Sequence, residues 1–461
     1  MVWGLFHLSP HRFRWVLMLL ASYAFYMCWN TFYIVLIIAS TLIDYCVGHA
    51  IAKTQVTWKR RSLLALSLLA NLGLLFVFKY WNFFNTSAAE LCNACHLPWA
   101  VPNLNVLLPV GISFYTFQTL SYTIDVYRNE LKPEPHLGRF ALYVSFFPQL
   151  VAGPIERASR FLPQLQKPSK TNDSNNIQAV VQILWGLFKK VVIADRLAIY
   201  VSAVYGHAGE HNGITYWLAT YAFALQIYCD FSGYSDIAIG AAKLFGIDLM
   251  KNFRSPYFAA NLQDFWRRWH ISLSNWLRDY LYISLGGSRK GEFRTAISLM
   301  VTMLLGGLWH GASWNFVIWG ASHGIALWLL RATTNYRRSV LERIQLPKIL
   351  TTSLGILATF HFVCLTWVFF RAETLADASL IITGMFTHFG KPFIDAAVFA
   401  NAAIGIALLL LVEINKWDSS DVSGWLKSYP RTTAWATSYL LLIGIVLFGA
   451  ESGAQFIYFQ F

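Results

Sequence analysis

Apolar runs long enough to cross a bilayer recur along almost the whole chain, separated by short polar loops. A hydrocarbon core about 30 Å thick asks for roughly 20 apolar residues in a helix. Segments near that length fall at 15–28, 32–51, 62–84, 106–126, 177–205, 295–309, 314–330, 349–370, 376–389, 397–412 and 436–449, with another around QIYCDFSGYSDIAIG (226–240). The pattern predicts about eleven spanning helices and no large hydrophilic domain.

Lys and Arg are unevenly distributed between the runs. They gather at 53–61, at Arg128 and Lys132, through 251–294 and again at 331–348, whereas the loops at 85–105 and 206–213 contain neither. By the positive-inside rule the basic loops belong to the cytoplasmic side. Only 13% of residues are charged and 56% are hydrophobic, against about 25% charged in a soluble domain. The net charge of +13 is therefore read as membrane topology, and a nucleic-acid partner is set aside. No small-residue cleavage site follows His11, Arg12 and Arg14, so no cleavable leader is expected. Cys28, Cys46, Cys229 and Cys364 lie in apolar runs. Cys92 and Cys95 form a lone CxxC, for which a local disulfide is favoured over a metal.

Three stretches depart from simple spans. In FFPQLVAGPIERASRFLPQL (146–165), Pro148, Gly153 and Pro154 interrupt a run too short to cross. Broken backbone is tolerated at membrane depth only where protein or a wet cavity covers it. A re-entrant segment is expected there, with an interfacial loop as the alternative. In 264–280, Trp266, Trp269, His270, Leu273, Trp276, Leu277 and Tyr280 recur at three- and four-residue steps. That spacing predicts one interfacial helix with Arg toward the headgroups and His270 on its buried side. Asp230 and Asp236 sit in apolar sequence, as channel or supporting groups. Ser232 and Gly233 between them suggest a helix break that the acids cap.

Three of the twelve histidines, His270, His310 and His323, fall between Asp264 and Gly324. His310 follows Arg294 by sixteen residues, about 24 Å along a helix, which puts it deep in the membrane. A neutral imidazole there can take a proton from an attacking hydroxyl, and Trp309, Ser313 and Asn315 are candidates to stabilise the developing charge. Arg267, Arg268 and Arg278 offer a cytoplasmic, anionic donor a docking face. None of the three histidines lies in an HxxxH or HExxH pattern, so no metal site is assigned. For each imidazole a buried structural hydrogen bond is the alternative, and His361 is read as a packing residue.

The stretches YTFQTLSYTIDVYR, FFPQLVAGPIERASRFLPQL, QIYCDFSGYSDIAIGAAKLFGI, NFRSPYFAANLQDFWRRWHISLSNWLRDYLYISLGG, GLWHGASWNFVIWGASHG, TWVFFRAETLADA and FIYFQF follow one another over nearly the whole chain. In this order they resemble the membrane-bound O-acyltransferases, and most of all the bacterial branch serving alginate and other polysaccharide O-acetylation. The resemblance implies a single all-α membrane domain over 1–461, with a core at about 106–331 and re-entrant and interfacial helices around a catalytic channel. It implies a histidine pair, His270 and His310, with His310 the usual base and His323 in a less defined role. It further implies acetyl-CoA as donor substrate with no bound cofactor. The acceptor would be an extracytoplasmic polysaccharide, reached through a periplasmic or surface acetyltransferase partner, and the location the bacterial cytoplasmic membrane. Relatives usually carry one more apolar span before the stretch matching 12–30, where about ten residues precede it here. Competing readings are D-alanyl transfer from a carrier protein to teichoic acid, a non-catalytic transporter, and a scaffold for a polysaccharide synthase.

Overall fold

A computed structural model describes residues 1–151, 153–167, 173–415, 431–451 and 456–457. Ala152, inside FFPQLVAGPIERASRFLPQL, and the last four residues of FIYFQF lie outside the described residues. Among those described, regular structure is helical throughout, as the apolar runs predict. Six helical stretches there are long and apolar enough to cross a membrane: Thr31–Lys53, Thr57–Ala94, Asn175–Tyr205, Lys348–Arg371, Ala396–Ile414 and Arg431–Phe448. The chain divides into two compact units, Met1–Asn176 with Ala241–Met250, and Ile177–Gly240 with Lys251–Phe461.

The first unit contains α1 (Val2–Leu8), α2 (His11–Met27), α3 (Ile34–Lys53), α4 (Thr57–Leu75), α5 (Trp81–Ala94), α6 (Ile112–Tyr127), α7 (Leu137–Ser145), α8 (Phe147–Leu150) and α9 (Ala158–Gln166). Helices α3, α4 and α6 meet around the buried Asp44. Its carboxylate accepts from Ser67 Oγ, from Asn71 Nδ2 at 2.8 Å and from Thr123 Oγ1 at 2.9 Å. Three donors from two neighbouring helices meet the acceptor capacity that burial would otherwise leave costly. Two expectations change here. The loop at 85–105 begins later, because α5 runs to Ala94, where Asn82 and Asn85 bind the carbonyls of Leu104 and Val101. Both Cys92 and Cys95 are free thiols.

The interrupted stretch breaks where its prolines demand. Pro148 opens the short α8, a position where a missing N–H costs nothing. The buried, extended run before α9 is held by side chains: Tyr143 Oη donates to the Glu156 carbonyl at 3.0 Å, and the Met250 N–H donates to the Glu156 carboxylate. Protein thus covers its irregular backbone. Burial pushes the Glu156 carboxyl up to about 7.

The second unit contains most of α10 (Asp173–Phe188), a π-helical turn (Lys189–Ala194), α11 (Asp195–Tyr205), most of α12 (Gly213–Leu244), α13 (Leu262–Arg268), α14 (Ile271–Trp276), α15 (Glu292–His310), α16 (Trp314–Ala332), α17 (Thr334–Ile344), α18 (Lys348–Arg371), α19 (Leu375–Thr387), α20 (Ala396–Asn415) and α21 (Arg431–Phe448). Two sequence expectations are corrected in it. Helix α12 runs through Ser232 and Gly233 without a break. The glycine serves close approach instead, since a Cβ on Gly233 would lie 2.7 Å from the Gly186 carbonyl oxygen on α10. The single helix predicted over 264–280 is two helices, parted at Trp269 and His270, with a π-helical turn at Leu277–Tyr282. Asn252 causes the break: its carbonyl accepts from Ile271 N at 2.9 Å and its side chain from Ser272 Oγ at 2.6 Å. These bonds replace the helical ones, and His270 takes a left-handed backbone with φ 41°. For a non-glycine residue that costs about 1–2 kcal/mol.

Candidate active site

Helices α15 and α16 form an antiparallel hairpin across a three-residue link, 311–313. Their glycines let the two backbones touch. A Cβ on Gly307 would lie 2.2 Å from the Phe316 carbonyl oxygen, and one on Gly320 would lie 2.3 Å from that of Met303. In a bilayer such small-residue contacts do the work that apolar burial does in water. The hairpin fixes His310 as the last residue of α15 and places His323 in the middle of α16.

His310 is 3% exposed and ringed by aromatic side chains. Trp319 meets it edge-on at 5.0 Å between centroids and 83°, Phe370 at 5.2 Å, and Trp309 at 5.0 Å. His270, fully buried, packs edge-on against Phe231 at 4.6 Å and lies 5.7 Å from Trp309. Burial pushes the His270 imidazole down to about 3, so it is neutral at physiological pH.

His323 contacts Trp319 at 4.8 Å and Trp266 at 5.2 Å, while its Nε2 lies 3.1 Å from Thr366 Oγ1 on α18. The Thr366 hydroxyl already donates to the Val363 carbonyl at 2.8 Å. Its oxygen therefore accepts from His323, which fixes the proton on Nε2 and leaves Nδ1 an acceptor. Four sequence-predicted residues, His270, Trp309, His310 and His323, thus belong to one aromatic cluster. Trp319, Thr366 and Phe370 complete it, Asn252 holds the backbone next to His270, and none of the four was singled out from sequence. The spacing of Thr366, Trp367 and Phe370 on one helical face of TWVFFR was the available signal.

The remaining candidates are placed differently. Asn315 Nδ2 donates to the Ala372 carbonyl at 2.8 Å, joining the start of α16 to the end of α18, and Ser313 is the residue before α16. Asp230 and Asp236 are in an ion cluster on α12: Lys190 Nζ lies 2.9 Å from Asp230 and 2.8 Å from Asp195, and Lys189 Nζ lies 2.7 Å from Asp236. Asp230 also accepts from Ile457 N at 2.8 Å, and Phe231 beside it packs on His270.

Beside the aromatic cluster a cavity of about 620 Å³ opens between α13, α14, α15, α16 and α17. It is lined by Arg267 and Arg278, joined by Arg331 and Arg337, which in sequence served only as topology markers. Arg268 is absent from its wall and pairs with Asp264 at 3.0 Å. Trp266 lines the cavity and touches both His323 and Trp319. Met303 lines it as well, two turns before His310 on the same face of α15, about 10 Å along the axis. Geometrically, this is a basic chamber with Trp266 in its wall, and that indole touches the buried His323.

The chain is similar over most of its length to known proteins. A family model described as MBOAT, membrane-bound O-acyltransferase family, matches residues 25–370. Over 413 residues the chain is 40% identical to a probable alginate O-acetylase of Azotobacter vinelandii, covering 89% of this chain and 80% of that protein. It is 36% identical to a peptidoglycan O-acetyltransferase of Helicobacter pylori, over 96% of this chain and 91% of that one. A teichoic acid D-alanyltransferase of Bacillus subtilis is 27% identical over 67% of this chain and 77% of its own length.

Proposed function

Because the chain belongs to the membrane-bound O-acyltransferase family and is thereby a multi-pass membrane O-acyltransferase, we propose that it takes acetyl from cytoplasmic acetyl-CoA and passes it across the membrane. The product is O-acetylation of an extracytoplasmic polysaccharide such as alginate, with His310 as general base. The placement of His310 carries the reading: a buried imidazole at the end of α15, two turns beyond a wall of the arginine-lined cavity.

In this mechanism the acyl donor's phosphates lie among the arginines and its thioester reaches toward His310. The imidazole takes the proton of the attacking hydroxyl as the oxygen bonds to the acyl carbon. The carbonyl oxygen gains negative charge, for which Trp309 Nε1–H is a candidate donor. Collapse expels the thiolate, which receives the proton from His310. His270 supports the site through their shared indole. The acceptor is presented by a periplasmic or surface acetyltransferase partner, and the protein resides in the bacterial cytoplasmic membrane.

The test is transfer from radiolabelled acetyl-CoA in membranes carrying wild type or His310→Ala at equal expression. Label reaching polymer only with wild type supports the reading; equal label in both overturns the role of His310. The second reading, D-alanyl transfer from a carrier protein, draws on the Bacillus subtilis relative. It predicts label from a carrier-bound donor and none from acetyl-CoA.

A further inference from the structure

The cavity wall carries four arginines, Arg267, Arg278, Arg331 and Arg337, and neither Asp nor Glu. Carboxylates are found only beside it. Asp279 takes Arg278 at 2.7 Å, and Glu292, the first residue of α15, takes Arg331 from the end of α16. The Glu292 contact is forked: Arg331 Nε donates to Oε2 at 3.0 Å and Nη2 to Oε1 at 2.9 Å. Two parallel N–H donors to two oxygens is also the geometry in which a guanidinium grips a phosphate. Glu292 is 71% exposed at its side chain and Arg331 41%, so the pair is solvated and weak enough to exchange.

We propose that Glu292 is a stand-in anion, which holds Arg331 in its phosphate-gripping geometry until a phosphate of the acyl donor displaces it. The cavity then takes the multiply phosphorylated end of a nucleotide thioester. Four guanidiniums facing one chamber call for several negative charges. A pantetheine arm on a carrier protein brings a single phosphodiester, whereas coenzyme A brings a diphosphate and a 3′-phosphate. Arg331 and Arg337 thereby join Arg267 and Arg278 as donor-binding residues, and Glu292 tunes the affinity by competition. The inference rests on the reading that coenzyme A is the donor.

The probe is adenosine 3′,5′-bisphosphate, which has phosphates but no acyl group or thiol. Its binding is measured calorimetrically on the purified full chain in neutral detergent and in nanodiscs. Arg331→Ala should weaken it about tenfold, the scale of one charge-assisted forked contact. Glu292→Gln should tighten it about threefold by removing the competitor, and the double variant should match Arg331→Ala, because no competition is left. Arg338→Ala, on α17 but off the cavity wall, should change nothing. The proposal is overturned if Glu292→Gln leaves affinity unchanged, or if Arg338→Ala weakens binding as much as Arg331→Ala. It is also overturned if phosphatidylglycerol nanodiscs abolish binding that phosphatidylcholine nanodiscs retain, which makes the occupant a lipid headgroup. Absent binding with acetyl transfer intact overturns this inference alone. Absent transfer from acetyl-CoA, with transfer from a carrier-bound thioester, overturns the donor reading as well.

Discussion

His270 and His310 flank one indole: the Trp309 ring lies 5.7 Å from the first imidazole and 5.0 Å from the second. One sits on a strained left-handed residue between two short helices, the other at the end of a 19-residue helix. Their different supports imply different sensitivities. His310→Ala should lower the rate of acetyl transfer by about 10²–10⁴-fold, the usual contribution of a general base. Trp309→Leu, which removes the shared ring, should lower it less and leave its pH dependence in place. Initial rates in membranes across a pH series distinguish the two; equal losses would make His310 a packing residue.

The ion cluster on α10–α12 is a stability element. Lys190 is 14% exposed at its side chain, and its partners Asp195 and Asp230 are 4% and 3%. Lys190→Met leaves two carboxylates buried without their cation. The expected cost is about 3–5 kcal/mol, the range for a broken buried pair. Adding Asp230→Asn should recover part of it. Thermal unfolding of the purified chain in detergent reads both, and an unchanged melting temperature for Lys190→Met would contradict the assignment.

Backbone contact in the α15–α16 hairpin leaves no room at Gly320. A Cβ there meets the Met303 carbonyl, which cannot swing aside as a side chain can. Gly320→Ala should destabilise by about 1–3 kcal/mol and reduce transfer by moving His310 against Trp319. Gly73→Ala, where nothing lies within 4 Å, is the control expected to behave as wild type. Folded yield and melting temperature are the measurements, and parity between the two variants would refute the contact.

Glu156 predicts a pH dependence of stability. Its carboxyl is pushed up to about 7 in the folded chain, from about 4.3 in an unfolded one. Between those values the native state holds more protons than the unfolded state. Its contribution is therefore fully present below about pH 4 and is lost as pH rises through 7. Glu156→Gln keeps a neutral isostere that still accepts from Met250 N–H. Its melting temperature relative to wild type should rise between about pH 5 and about pH 8. A gap that stays constant across this range would rule the shift out.

The run lengths and the loop charges were enough to read an all-helical membrane protein, because a bilayer imposes those features locally, segment by segment. The same local logic singled out His270, Trp309, His310 and His323, whose residue types are conspicuous in apolar sequence. Tertiary structure decided what local pattern cannot encode, namely which distant groups meet. Asn252 breaks a helix the periodicity joins, and Gly233 serves a helix contact where sequence suggested a break. Asp230 and Asp236 find Lys190 and Lys189 on another helix. Thr366 fixes the tautomer of His323 from 43 residues away. Arg331 and Arg337 pass from topology markers to a cavity wall only once α16 and α17 pack beside α13. Partners of this kind are chosen by packing through space, since a buried polar group must find whichever complement the fold brings within reach.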